Sequence, residues 1–271
     1  MLGKLVKHDF IATWKLPAAL DVLVIALGIM TGLLIQIIPH VEDSMGVGIF
    51  MLSFIGVFYI GIIAANVVTI ILIVMRYYRN LYTAEGYLTF TLPVKTDMIV
   101  HSKVITGAVW MFLSYVSTII SILIAGSGFI TALDVPGKEL REFLREFSSV
   151  FGANSPGFIV VIVLTFLITP AASALSMYFC VSVGQLWHSH KILGTVLCII
   201  GIYIVNQIFS QVSFFASGFW GMMTSTGADI DASFGGIYLR MLIILLIFTI
   251  VESAIYYAVC LIINRNKVNL D

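Results

Sequence analysis

The chain has 271 residues, 60% of them hydrophobic and only 10% charged, and its 14 Lys and Arg balance its 14 Asp and Glu. Soluble domains carry about 25% charged residues, and so little polar surface could not cover the apolar surface of a chain this size. Lipid is therefore the expected solvent for most of the chain. Soluble enzymes are excluded, and zero net charge supplies no field to recruit nucleic acid.

The first element, Met1–Lys15, reads as a partly amphipathic helix. Leu2, Leu5, Val6, Phe10 and Trp14 fall on one arc, and Lys4, His8 and Lys15 face away. Such a helix would lie in the membrane interface with Trp14 at headgroup depth; the alternative is a plain basic flank. Crossing a hydrocarbon core about 30 Å thick takes roughly 20 apolar helical residues. Six stretches qualify: Leu16–Ile38, Phe50–Met75, Val104–Ile130, Phe158–Val183, Ile192–Phe215 and Ile237–Ile263. Their apolar runs are continuous rather than alternating, which indicates helices and not barrel strands. The expected fold is an all-α membrane protein with six transmembrane helices in one transmembrane domain, residues 1–271.

Ten of the 14 Lys and Arg residues flank one side of these spans. The positive-inside rule therefore places that side, and both termini, in the cytoplasm. The first span is too long for the apolar core of a secretory signal, and no small-residue cleavage site precedes a soluble domain. Cys180, Cys198 and Cys260 all fall within spans, where they read as small buried hydrophobes with no disulfide partner outside.

Residues 76–103 form the longest cytoplasmic connection. It is rich in Tyr and Leu, and Tyr82, Tyr87, Leu88, Phe90 and Leu92 need something to pack against. Pro93 disfavours helix at Leu92, and Thr96-Asp97 is a fitting start for the helix that enters span three. A short segment projecting these aromatics is a candidate for docking a partner subunit, the alternative being a place in the headgroup belt. On the outer side, within residues 131–157, Leu140, Phe143, Leu144, Phe147 and Phe151 define a second amphipathic helix. It carries a Lys138–Glu142 pair on its polar face. Residues 216–236 are rich in Gly, Ser and Thr and read as a partly helical outer cap.

Catalytic patterns are missing. There is no GxxxxGK[ST] phosphate loop and no HExxH metal motif. His188 and His190 have no third ligand nearby, and all five histidines fall at or beyond span ends. The chain is thus expected to be no enzyme and to bind no metal or cofactor of its own. Glu252, close to the middle of span six, is the ionisable group that stands out. A carboxyl there is costly enough to face the bundle or a wet cavity, as a substrate or proton contact or as a packing hydrogen bond. Asp21 is expected to pair with a basic side chain at the interface. Asn66, Asn206, Gln207 and Gln211 add polar groups that either line a pathway or bond between helices.

The opening Met-Leu-Gly-Lys-Leu-Val-Lys-His-Asp-Phe10 resembles that of the permease subunits of bacterial ABC exporters of the six-span type, Gram-positive ones especially. Tyr77-Tyr-Arg-Asn-Leu-Tyr82, Glu85-Gly-Tyr-Leu-Thr-Phe-Thr-Leu-Pro93 and Ser102-Lys103 are similar to the loop between spans two and three of that family. The tail from Asn266 to Asp271 is similar to its ending, while His8 stands where an aromatic Tyr is more usual. The resemblance implies a multi-pass protein of the bacterial cytoplasmic membrane. It would pair with a second permease chain, as a homo- or heterodimer, with each half docked on a separate ABC-type ATPase subunit that holds ATP and Mg. Carried over, Tyr82, Glu85, Gly86, Tyr87 and Leu88 would contact the ATPase, and Pro93 would shape the exit of the coupling segment. An amphiphilic or antimicrobial peptide, a lipid or a drug is the expected substrate. The competing expectation is an ion-coupled secondary transporter with Glu252 as its protonation site. For it, Pro170 breaks span four, but no matching break or internal repeat is found.

Overall fold

A computed structural model describes residues 2–37, 45–83, 85–86, 96–132, 134–150, 156–187, 190–224 and 230–266. Among these residues the chain is all helix. The helices are α1 Leu2–Thr13, α2 Lys15–Ile37, α3 Met45–Tyr82, α4 Thr96–Ala132, α5 Gly137–Val150, α6 Pro156–Gly184, α7 Lys191–Thr224 and α8 Ile230–Asn266. Six of them, α2, α3, α4, α6, α7 and α8, are long and apolar enough to cross a membrane. The all-α class with six candidate membrane-spanning helices, expected from the sequence, is the one observed.

Helices run past the apolar stretches that announce them. At 38 residues α3 is about 57 Å long at 1.5 Å per residue, far beyond the hydrocarbon thickness. No Gly or Pro interrupts Arg76–Tyr82, so the helix continues after the hydrocarbon ends and takes Arg76, Arg79 and Tyr82 with it. On the far side of the loop, α4 begins at Thr96 with Asp97 in its first turn, where the capping signal predicts it. What remains between the two helices is residues 83–95. At the opposite end α7 continues to Thr224 and α8 starts at Ile230, so most of the expected outer cap is helical extension of spans five and six. The amphipathic helix expected within residues 131–157 is α5, in which the apolar Phe143 and Leu144 are exposed.

The tightest pair is α2 with α4, which run parallel. Residues on both helices are small where they meet. A Cβ at Gly28 would lie 2.7 Å from the Ser121 carbonyl oxygen, and one at Gly32 would lie 2.9 Å from that of Ile124. One at Gly128 would lie 2.8 Å from the Gly32 Cα. Close backbone approach of this kind is how helices gain dispersion contact where lipid removes the hydrophobic drive between them. Hydroxyls add to it: Ser121 donates to the Val24 carbonyl at 2.7 Å. Asp21 accepts from Ser114 at 2.9 Å and from Ser117 at 3.0 Å. Among the described residues Asp21 is thus partnered by two serines of α4 and not by the basic side chain expected.

Burial is uneven. In its most apolar stretch α4 is 33% buried, whereas α7 is 6% buried, so α4 is the axis of the bundle and α7 its rim. One apolar cluster (Val24, Phe58, Ile62, Ala65, Ala125) joins α2, α3 and α4. The larger one lies toward the end rich in Lys and Arg, called the basic end below. It gathers Ile73, Tyr77, Leu81, Trp110, Met111, Tyr178 and Cys260, among others, from α3, α4, α6 and α8. The cysteines are free thiols, Cys180 and Cys260 fully buried.

Candidate functional site: polar clusters at the basic end

Two polar networks sit around the larger core and both reach the 83–95 loop. The first begins at Asp9. In α1 the residues turned toward the bundle are Leu2, Leu5, Val6, Asp9, Phe10 and Thr13, while Lys4, His8 and Trp14 are exposed. Phe10 stacks on Trp110 of α4 with ring centroids 4.7 Å apart. Asp9, only 7% exposed, accepts a hydrogen bond from Ser102 at 2.6 Å and forms a buried ion pair with Lys103. Arg76 of α3 lies 3.9 Å from the same carboxylate. With its amide nitrogen toward the acid, Asn80 donates to Glu85 at 3.1 Å and accepts from Lys103 at 2.6 Å. Arg79 closes the chain of contacts with a 3.1 Å ion pair to Glu85.

The second network is built on tyrosines. Tyr77 stacks on Tyr178 at 4.2 Å between centroids, and its hydroxyl lies 3.0 Å from Ser182 Oγ. Tyr82 donates to Asn264 Oδ1 at 2.9 Å and lies 3.0 Å from the same Ser182. Asn264 in turn donates to the Tyr77 hydroxyl at 3.1 Å. Three helices, α3, α6 and α8, are thereby joined through buried groups whose hydrogen-bonding capacity is used within the bundle. Beside them Arg265 of α8 pairs with Asp97 in the first turn of α4, Nε to Oδ1 at 2.7 Å. Tyr257 lies 2.6 Å from His101 Nε2.

Of the residues singled out for an ATPase contact, Tyr82, Glu85 and Gly86 are described, and Tyr87, Leu88 and Pro93 lie outside the described residues. Gly86 N–H donates to the Thr83 carbonyl at 2.7 Å, a tight turn at the start of the loop. The Tyr82 hydroxyl points into the bundle and Glu85 is half out of it. Asn66 ties α3 to α4 through Thr118 at 3.1 Å and so serves packing. Asn206, Gln207 and Gln211 share no cluster with it. They are exposed on α7, near the middle of that span. Glu252 is half-buried, and its hydrogen bond comes from Tyr256, one turn along the same helix. Among the described residues no three His, Cys, Asp or Glu side chains converge as metal ligands do.

Sequence reasoning gave no site role to Asp9, Lys103, Ser182 or Asn264, although Asp9 and Lys103 fall in segments that carry the resemblance. For Asp9 a signal existed: it falls inside the apolar arc of α1, at i+3 from Val6 and i+4 from Leu5, where a carboxylate must find a partner. The partners of the other three appear only when helices far apart in sequence meet.

No family model, curated protein or solved structure matches this chain. Composition and fold together define a multi-pass α-helical membrane protein, an architecture consistent with membrane transport.

Proposed function

We propose that the chain is the transmembrane permease subunit of an ATP-driven exporter of the ABC type in a bacterial cytoplasmic membrane. It acts with a second permease chain and takes its energy from ATP hydrolysed on a separate subunit, so that it is itself no enzyme. The observation that carries this reading is that both ends of the 83–95 loop are tied into the bundle. Tyr82 engages α6 and α8, Glu85 is linked through Asn80 and Lys103 to α1, and Asp97 engages α8. A push on this loop is therefore delivered to three other helices, α1, α6 and α8, which is the mechanical requirement of a coupling element. Loop and α1 share the basic end, which the positive-inside rule assigns to the ATP-containing side. The sequence resemblance supplies the identity of the pushing partner. The exposed amides of α7 supply a reason for the second chain, because polar groups at mid-membrane depth require partners. An amphiphile such as a peptide, lipid or drug suits a path opening between two such bundles.

Gentle solubilisation of native membranes around a tagged chain is expected to bring down a stoichiometric ATPase. Replacing Glu85 and Tyr87 with Ala should leave membrane insertion intact and uncouple transport from hydrolysis. Unchanged transport in that variant would remove the loop from the mechanism.

One observation favours a second reading, an ion-coupled carrier. Glu252 bonds within its own helix and so does not join two spans. Glu252→Gln should abolish proton-driven uptake under that reading and leave ATP-driven export untouched under the first.

A further inference from the structure

A hollow of about 530 Å³ opens at the basic end between α1, α2, α3 and Glu85, with Trp110 of α4 in its wall. Its polar lining is unbalanced: Lys15, Arg76 and Arg79 face it against the single carboxylate of Glu85, which Arg79 already engages. Among the described residues, two buried donors of side chains that line it, Arg76 Nε and Trp110 Nε1, have no acceptor. Trp110 itself is 4% exposed, so water outside the bundle does not serve its indole. Arg76 reaches its neighbours only at long range, 3.5 Å to the Ala12 carbonyl and 3.9 Å to Asp9. A buried donor without an acceptor costs about 1–3 kcal/mol, and here two belong to side chains that line one positively charged recess. Thr13 and Asn80 add neutral polar groups, and the remaining wall is apolar, including Leu16, Leu72 and Met75, of which Leu16 and Met75 are exposed toward the surroundings of the bundle. The hollow sits where spans one and two leave their apolar stretches, which is headgroup depth.

We propose that this hollow binds the phosphate of an anionic phospholipid, with the lipid's chains running along the apolar wall beside Leu16 and Met75. A phosphate diester offers several acceptor oxygens, enough to meet the guanidinium and the indole N–H together, and charge-assisted bonds of this kind are the strong ones. The apolar wall argues for a lipid over free phosphate, which would gain nothing from it. The inference goes beyond the export reading and does not depend on it, since a carrier would present the same recess.

The test uses the full purified chain in nanodiscs and in delipidated form, read by native mass spectrometry. With phosphatidylglycerol, the wild type should retain one lipid through activation that strips the rest. Trp110→Phe, which keeps the ring and removes only the donor, and Lys15→Gln with Arg79→Gln, both exposed positions, should each weaken retention roughly tenfold. Arg76→Gln should do the same, and its melting temperature shows whether lost folding accounts for the loss. Equal retention by wild type, Trp110→Phe and the Lys15/Arg79 pair overturns the site. Displacement of the lipid by millimolar inorganic phosphate overturns the lipid assignment in favour of a water-soluble phosphate.

Discussion

A carboxylate and an ammonium, each about nine-tenths buried, meet at Asp9 and Lys103. Removing one member of such a pair leaves the other as an uncompensated charge, at a cost of about 3–5 kcal/mol. Asp9→Ala should therefore destabilise the purified chain by about 3 kcal/mol, as read by unfolding in mixed micelles. The apolar double replacement Asp9→Leu with Lys103→Met should recover most of that loss, because two well-packed apolar side chains carry no desolvation penalty. A double variant no better than Asp9→Ala would show that the network around Ser102 and Arg76, and not the pair, holds α1. This is also the scale at which the sequence was least legible. Burial of Asp9 follows from the arc on which it lies, but its partner is 94 residues away, and the resemblance that includes Ser102-Lys103 does not say which carboxylate that lysine meets.

Elements were legible for the opposite reason. Transfer of a helix into hydrocarbon depends on about 20 consecutive side chains, so each of the six spans is written in its own segment. So are the start of α4 at Thr96 and the amphipathic α5. Helix ends were less legible, since a helix such as α3 continues past the point where apolarity stops. Which span packs on which depends on small residues at the right turn, as in α2 and α4. Gly28→Ala would drive a methyl into the backbone of Ser121 and should cost about 1–3 kcal/mol. Gly201→Ala, on α7 with nothing within 4 Å, should be neutral or slightly stabilising. Equal effects of the two changes in an unfolding assay would mean that the α2–α4 contact does not set the stability of the bundle.

For the molecule as a whole, the asymmetry between α4 and α7 matters most. A bundle whose fifth span is 6% buried leaves Asn206, Gln207 and Gln211 facing outward. In the proposed exporter these amides meet a second permease chain. Gln207→Leu with Gln211→Leu should then shift the chain from dimer to monomer, as counted by single-molecule photobleaching in lipid bilayers, while improving the match of the lone bundle to lipid. An unchanged dimer fraction would move the contact to another face. No composition or periodicity reveals which of six apolar helices is left uncovered, because that is a property of their arrangement.

The bond between Asp9 and Lys103 also has a history in each newly made chain. Synthesis adds about 5–20 residues per second, so with 94 residues between the partners Asp9 waits roughly 5–20 s for its lysine. During that interval α1 has neither its lysine nor the Trp110 ring on which Phe10 stacks. The amino terminus thus keeps its own record of progress: it docks only once the third span has been delivered, and a chain that stalls before that point leaves a loose helix at the membrane surface for proteases to find.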